Sequence, residues 1–460
     1  MNPIYRMLPI LGQNLACTGA GWYRHRTRFT RFFFETLDAW ERSVDGPLES
    51  LHELQRGRLC ALVARARAQV PFYRDMPAFS EADDPHEAIR ETLAGIPSVD
   101  KATYRDHQSD FLARDTPTAR LVRANTSGTT GTALPVWLTP ERIAEGYAAV
   151  WRQRRAFGVQ IDDPLMTFAG QMIVPLAQRR PPFWRKNWYG RQTLFSVYHM
   201  SSAHLAAYVD AIHRAPARYV QGYPSALHLV ARALLDAGRP LPAGRLRGVF
   251  TSSESLLAYQ REAIEAGFGA PVRDHYAATE LVVSMTACSQ NRLHVDMEFC
   301  IVEVESEEET EDWVRGPLIV TGLGNDAAPL FRYRIGDVGT RAKRPCPCGR
   351  PGDSFLEIDG RIEDYVVTPD GRMVGRLDHV FKSQHDIAEA QILQETKDAI
   401  QVCVAPLASY SAASQKKLLS GLRERLGDDI RIEVRLCDAI PREQNGKFRA
   451  VKSRIGKVSA

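Results

Sequence analysis

The sequence predicts an α/β protein: a large domain of layered sheets and helices followed by a small α+β domain. Three observations carry that expectation. From about Tyr104 to Leu356 strand-like runs alternate with helix-period segments, the pattern of sheets covered by helices. After Asp359-Gly360-Arg361 the character changes to a unit of about a hundred residues with short apolar runs and one amphipathic helix. The length, 460 residues with 44% hydrophobic and 25% charged, is more than one ordinary core takes up. The expected division is residues 1–75 as a helical segment packed on the main body, 76–359 as the large domain and 360–460 as the small one.

Composition excludes several classes. A net charge of +4 on this length is too weak to imply a nucleic-acid partner without a concentrated patch or a known module. No run approaches the roughly 18 apolar residues of a membrane span. The apolar piece Met7 to Leu11 is broken by Pro9 and followed by Gln13 and Asn14, which makes a poor signal peptide. A cytoplasmic protein is the expectation. The eight cysteines therefore do not read as a disulfide framework, and Cys300, Cys403 and Cys437, in apolar runs, read as small core residues.

Taken in order, the first 75 residues interleave Trp22, Tyr23, Phe29, Phe32, Phe33, Phe34 and Trp40 with Arg24, Arg26, Arg28 and Arg31. That pattern fits either a helix packing its aromatic face on the body or one lying on an anionic surface; the packed reading is preferred. Arg58 to Val70 reads as a helix stopped by Pro71, Pro140 to Phe157 as another, and Leu165 to Ala169 as a buried strand. Arg179 to Arg191, with two Pro, two Trp and five basic residues, reads as an at least partly exposed loop. Tyr219 to Tyr223 and Arg247 to Thr251 are strands, with the helix Leu227 to Ala237 between them. The acidic run Glu303 to Asp312 reads as a solvated hairpin tip. In the small unit, Ile392-Leu393, Ile400 to Val404 and Ile430 to Leu436 are strands and Ala413 to Leu426 is the helix, which leaves Gly360 to Asp364 as the candidate hinge.

The stretch Asn125-Thr126-Ser127-Gly128-Thr129-Thr130-Gly131 follows a strand-like run. Gly128 and Gly131 permit tight turns and close backbone approach, and the hydroxyls of Ser127, Thr129 and Thr130 can donate to phosphate oxygens. Alone it reads equally as a phosphate loop or an ordinary turn. It is not a Walker loop, since no Gly-Lys-Ser/Thr follows. Downstream come Tyr276-Ala277-Ala278-Thr279-Glu280, Arg332-Tyr333-Arg334-Ile335-Gly336-Asp337, Gly360-Arg361-Ile362-Glu363-Asp364 and Pro441-Arg442-Glu443-Gln444-Asn445-Gly446-Lys447.

With these five motifs in this order, the chain resembles the adenylate-forming enzymes, the superfamily of acyl-CoA synthetases, peptide-synthetase adenylation domains and luciferases. Pro71-Phe72-Tyr73-Arg74, Gln221-Gly222-Tyr223-Pro224-Ser225, Thr251-Ser252-Ser253-Glu254 and Cys346-Pro347-Cys348-Gly349-Arg350 resemble the phenylacetate-CoA ligase and CapK-like branch. The resemblance runs from about Leu51 to Ile455. It implies that Ser127, Thr129 and Thr130, with Gly128 and Gly131, grip the β- and γ-phosphates of ATP. Tyr276 would stack on adenine, Ser252, Ser253 and Glu254 border it, Thr279 touch the α-phosphate and Glu280 ligate Mg²⁺. Asp337 would accept both ribose hydroxyls and Arg361 meet ribose or phosphate. Glu363 would be the hinge of a mobile small domain, and Lys447 would swing in to bridge carboxylate and α-phosphate. Thr132 and Ala133 stand where relatives often have Lys and Pro, which weakens the charge of the loop. Each residue has a plainer reading: Tyr276 as core, Glu280 as a helix N-terminal acid, Lys447 as a solvated loop lysine.

A second constellation is Cys288-x5-His294 with Cys346-x-Cys348 about fifty residues on. These supply the four N/S ligands of a closed, structural tetrahedral zinc; the alternative is reduced thiols beside a surface histidine. Zinc-bearing members of the resembled branch favour the first reading.

The implied function is ATP-dependent activation of a carboxylic acid as acyl-adenylate, then acyl transfer, most commonly to coenzyme A. An amine, a carrier protein, or a non-catalytic nucleotide-binding scaffold of surface-polysaccharide assembly are the rivals. The acyl pocket is expected around Phe195 to Met200, Gly222 to Pro224 and His275-Tyr276, whose aromatic character suits a planar or apolar acid. The segment Arg179 to Arg191 is either a guide for an anionic acceptor, through Arg185 and Lys186, or a solvated surface loop. The chain is expected to be a monomer or homodimer.

Overall fold

The computed structural model describes residues 3–125, 134–361, 366–370, 373–374, 377, 380–381, 386–442 and 448–455. It is an α/β protein of two compact units, Met1–Ala20 with Asp162–Val272 and Asp359–Ala460, and Gly21–Ile161 with Arg273–Ile358.

In the first unit, strands Leu165–Ala169, Gln192–Ser196, Tyr219–Gly222 and Gly248–Ser252 run parallel, and Trp184–Asn187 pairs antiparallel with Gln192–Ser196. Parallel neighbours need crossovers, which helices Ser202–Arg214 and Pro224–Asp236 provide. Their buried faces, with that of Ala258–Phe268, meet the sheet in a core that includes Phe168, Val220, Leu227, Val249, Ile264 and Phe268. Gly222 has no alternative: a Cβ there would lie 2.5 Å from the Phe168 carbonyl oxygen.

The small domain has its own sheet. Ile387–Thr396 pairs antiparallel with Ala399–Pro406 and parallel with Val451–Ser453, and Ala399–Pro406 runs parallel to Arg431–Leu436. Helix Ala412–Leu426, capped by Ser411, buries Leu418, Leu422 and Leu426 in the core that holds Ile392, Val402 and Val404. The expected elements are all present here.

The second unit is built on antiparallel strands, among them Cys300–Val304, Trp313–Gly322 and Tyr333–Ala342, and Val272–Ala277, Ser284–Ala287 and Leu293–Val295. Helix Arg31–Ser43 buries Phe33, Leu37 and Trp40 and packs on helix Pro140–Ala156. The packed reading of the aromatics holds for Phe33 and Trp40, while Trp22, Tyr23, Phe32 and Phe34 are exposed. The helix expected from Arg58 begins at Leu48 and ends at Gln69, before Pro71. The acidic run is an exposed turn with a short strand at Glu308–Glu309, as expected.

One expectation is corrected. Within Arg179 to Arg191, residues Trp184–Asn187 form a strand, and Arg185 is fully buried. Its guanidinium donates to the Gln13 side chain at 2.6 Å, the Gln178 side chain at 2.9 Å and the carbonyls of Pro182 and Trp184. Lys186 is half-buried and donates to Thr193 Oγ1 at 2.8 Å. High local charge suggested solvent, but an arginine satisfied through several donors can be buried. Arg185 is therefore not available to guide an anionic acceptor.

Candidate active site

Strand Val272–Ala277 delivers His275 and Tyr276, and the turn after it carries Thr279 and Glu280. Leu281 N–H closes that turn on the Ala278 carbonyl at 3.0 Å, with Leu281 itself at φ 50°. Ser253 at φ 73° and Arg332 at φ 44° are also left-handed. A non-glycine residue in that region costs roughly 1 kcal/mol or more and is often held at functional sites. All three flank or belong to motifs singled out above.

Strand Tyr333–Ala342 reaches the same turn twice. Tyr276 OH donates to Asp337 Oδ2 at 2.5 Å, and Tyr333 OH donates to Glu280 Oε1 at 3.2 Å. Two hydrogen bonds thus join the strand and turn of Tyr276 and Glu280 to strand Tyr333–Ala342, about sixty residues on in sequence. Glu280 is buried, and among the described residues its second oxygen accepts no hydrogen bond; a single anionic oxygen held in place suits a hard cation. Thr279 is exposed at the tip.

In the other unit, strand Gly248–Ser252 ends in Ser252, Ser253 and Glu254. The Glu254 carboxylate accepts the Ser225 N–H at 3.1 Å, in the first turn of helix Pro224–Asp236, and the Phe448 N–H at 2.6 Å. Arg442, at the start of the lysine-bearing loop, forms a buried pair with Glu389 at 2.5 Å and lies 5.2 Å from the Phe448 ring centroid. The loop of Ser127, Gly128, Thr129, Thr130 and Gly131, the hinge Glu363 and Lys447 lie outside the described residues. Arg361 closes strand Ser354–Arg361.

Cys288, His294, Cys346 and Cys348 converge, with one ligand atom of each within 4.8 Å of the others. The Cys288 and Cys346 sulfurs are 3.7 Å apart, and Cys348 Sγ is 3.4 Å from His294 Nε2. A tetrahedral zinc with bonds of about 2.3 Å to sulfur and 2.0 Å to nitrogen sets those edges at about 3.8 and 3.5 Å. The residues fit the ion. Burial raises both thiols' affinity for protons, yet hydrogen bonding with His294 and nearby backbone N–H groups brings Cys288 down to about 6, while Cys348 is pushed up to about 12.

Behind this cluster lies a polar network that the sequence did not reveal. Asp296 accepts from Arg152 at 2.6 Å, Arg350 at 2.9 Å, Ser284 at 2.6 Å and Thr286 at 2.8 Å, and Ser284 Oγ is 3.1 Å from His275 Nε2. Burial opposes ionisation of Asp296, but the two guanidinium charges win and hold its carboxyl well below the usual range. The network runs from Arg350, two residues past Cys348, to His275, beside Tyr276. Burial lowers the His275 imidazole to about 4, so it is neutral at pH 7. The available signal was only that Arg350 ends the Cys-Pro-Cys-Gly-Arg stretch.

Residues 366–454 match the family model for the CapK C-terminal domain. Protein CapK of Staphylococcus aureus is 24% identical over 459 residues, covering 98% of both chains. The phenylacetate-coenzyme A ligase of Thermus thermophilus is 25% identical over 330 residues, covering 70% of this chain and 72% of the relative. Among solved structures, 2-hydroxyisobutyryl-CoA ligase in the postadenylation state with 2-HIB-AMP superposes with a TM-score of 0.66 at 20% identity, covering 88% of this chain and 90% of that one.

Proposed function

We propose that this chain is a member of the adenylate-forming superfamily, in its CapK-like branch, and an AMP-forming ligase that activates a carboxylic acid with ATP and passes the acyl group to an acceptor, most commonly coenzyme A in this superfamily. The observation that carries the reading is the pair of hydrogen bonds, Tyr276 to Asp337 and Tyr333 to Glu280, that join the two motifs. Three residues that the resemblance gives nucleotide roles are gathered by contacts that no packing requirement alone would select.

In the first half-reaction a carboxylate oxygen attacks the α-phosphorus of ATP and the bond to pyrophosphate breaks. Positioning and charge neutralisation dominate such chemistry. Tyr276 presents its ring to adenine while its hydroxyl fixes the Asp337 carboxylate, leaving the other oxygen for the ribose hydroxyls. Ser252, Ser253 and Glu254 border the base, and Thr279 and Arg361 approach the phosphates. Ser127, Thr129 and Thr130, with Gly128 and Gly131, hold the β- and γ-phosphates, and Lys447 neutralises the attacking carboxylate and the α-phosphate. Glu280 would hold Mg²⁺, which supplies charge compensation at the phosphates. In the second half-reaction, after rotation of residues 360–460 about Glu363, the acceptor attacks the acyl carbon and AMP leaves with the C–O bond electrons.

Cys288, His294, Cys346 and Cys348 would hold a zinc that is structural, since four protein ligands leave no position open. No helix among the described residues is long and apolar enough to cross a membrane, and a cytoplasmic site of action is part of the proposal.

Pyrophosphate release across a panel of carboxylic acids, with coenzyme A, amines or neither, tests the reading. Acid-dependent release supports an adenylate-forming ligase, and the acceptor that accelerates turnover identifies thiol or amine. Failure of every acid in the panel to elicit release would leave the scaffold reading standing.

A further inference from the structure

Helix Ile10–Arg28 is amphipathic in the reverse sense. Its polar side chains face the protein: Gln13 is buried and accepts from Arg185 Nε at 2.6 Å, Asn14 Oδ1 accepts the Lys186 N–H at 2.9 Å, and Thr18 Oγ1 accepts the Trp188 N–H at 3.1 Å. Its apolar side chains face solvent. Leu11, Leu15 and Trp22 fall on one stripe at 100° per residue, and are 62%, 58% and 47% exposed. Met7 in the preceding short helix is 87% exposed. The strand that grips the helix continues into exposed Trp188 and Tyr189.

Eight of the sixteen large apolar side chains exposed among the described residues lie in 4–15 or 176–189, all within one compact unit. A helix held by its polar face through three hydrogen bonds to a strand is fixed in that orientation. Rotating it to bury the leucines would break the bond between Arg185 Nε and Gln13 Oε1 and leave those two buried atoms unmatched, at a cost of about 1–3 kcal/mol for each.

The formal charge on this helix has one sign, Arg24, Arg26 and Arg28 with no aspartate or glutamate. Residues 1–34 contain five arginines and no aspartate or glutamate, and Arg24 and Arg26 are exposed on the helix, Arg26 lying 5.3 Å from the Trp22 ring centroid. Arg179, Arg180 and Arg191 flank the neighbouring strand and are also exposed. An isologous contact with a second copy would bring the same basic patch of both subunits into one interface, at an electrostatic cost. A leaflet of anionic lipids supplies both an apolar layer for Leu11, Leu15 and Trp22 and phosphates for the arginines, with Trp and Tyr at the boundary between them.

We infer that this face is a docking surface for an anionic lipid bilayer, on which the protein rests without spanning it. The full-length chain should co-sediment with vesicles of phosphatidylcholine and phosphatidylglycerol, should not do so with phosphatidylcholine alone, and should be released as ionic strength rises. Leu11→Glu with Leu15→Glu should abolish binding. Both positions are exposed, so the melting temperature should be unchanged. Arg24→Ser with Arg26→Ser should weaken partitioning about thirtyfold, since each arginine near an anionic surface contributes about fivefold. The inference is overturned if wild type does not bind anionic vesicles, if the variants bind as well as wild type, or if sedimentation velocity shows a homodimer that the leucine variants dissociate.

Discussion

Glu254 accepts the backbone N–H of Phe448 at 2.6 Å, one residue beyond Lys447. Its other oxygen accepts the Ser225 N–H, so one carboxylate ties the end of strand Gly248–Ser252 to a helix start and to the lysine-bearing loop. Arg442, at the other end of that loop, is anchored by Glu389. The five residues between, Glu443 to Lys447, are thus flanked by two polar anchors. Glu254→Ala is expected to slow adenylate formation about ten- to hundredfold, the equivalent of one or two hydrogen bonds to a charged group. Glu254→Gln, which can accept only one of the two bonds well, should fall between. Acyl transfer from a synthetic acyl-adenylate should be nearly unaffected; equal losses in both steps would reduce Glu254 to a structural role.

Zinc should be present at one ion per chain, bound by Cys288, His294, Cys346 and Cys348. Structural zinc contributes roughly 10 to 16 kcal/mol of apparent binding energy in small peptides, so even a fraction lost in Cys346→Ser should lower the melting temperature. Activity per folded molecule should survive in part. Metal analysis of the purified protein checks this, and a metal-free preparation of full thermal stability would refute it.

The buried Arg185 should behave as a structural residue. Arg185→Ser leaves Gln13 and Gln178 without their common donor, and should cost about 3 kcal/mol in denaturant titrations. Lys186→Ser should cost less, as its ammonium is half-buried with one hydrogen-bond partner, Thr193. A salt-dependent change in acceptor kinetics from Arg185→Ser, without loss of stability, would contradict the assignment.

How much was legible in the sequence divides along the kind of signal. The small domain was readable because its strands and the helix Ala412–Leu426 follow local periodicity and a capping serine. The convergence of Cys288, His294, Cys346 and Cys348 was readable because zinc-ligand chemistry favours Cys and His. Arg185 was misread because composition argued for solvent, and its partners, Gln13 and Gln178, are set by tertiary contact. Asp296 was missed for the same reason: a lone aspartate on an apolar stretch becomes the centre of a network only when Arg152, Arg350 and Ser284 are folded around it. The Tyr276–Asp337 bond was half-legible, since the two motifs gave the residues but not their contact.

His228 gives the fold a pH dependence. Burial, and secondarily the charge of Arg232, lowers its imidazole from 6.5 to about 4, and its Nδ1 has no hydrogen-bond partner among the described residues. Above pH 6.5 the group is neutral in both folded and unfolded chains and its contribution is constant. Between pH 6.5 and about 4 the unfolded chain takes up a proton that the folded chain does not, so stability falls as pH falls. The slope from this residue should approach about 1.4 kcal/mol per pH unit. Chemical denaturation of His228→Leu across this range should show a shallower decline than wild type, and parallel curves would contradict the prediction.

Lys447→Ala separates the two half-reactions. If the lysine neutralises charge only while the carboxylate attacks ATP, acid-dependent exchange of pyrophosphate into ATP should fall by about 10² to 10³, the usual loss for one such group. Transfer from synthetic acyl-adenylate to the acceptor should stay within about tenfold of wild type, because that step no longer develops the same charge. Measuring both half-reactions on one preparation is the most direct test of an adenylate-forming ligase with a swinging lysine. Selective loss of the first is the predicted result, and equal loss of both, or exchange untouched by the substitution, would contradict it.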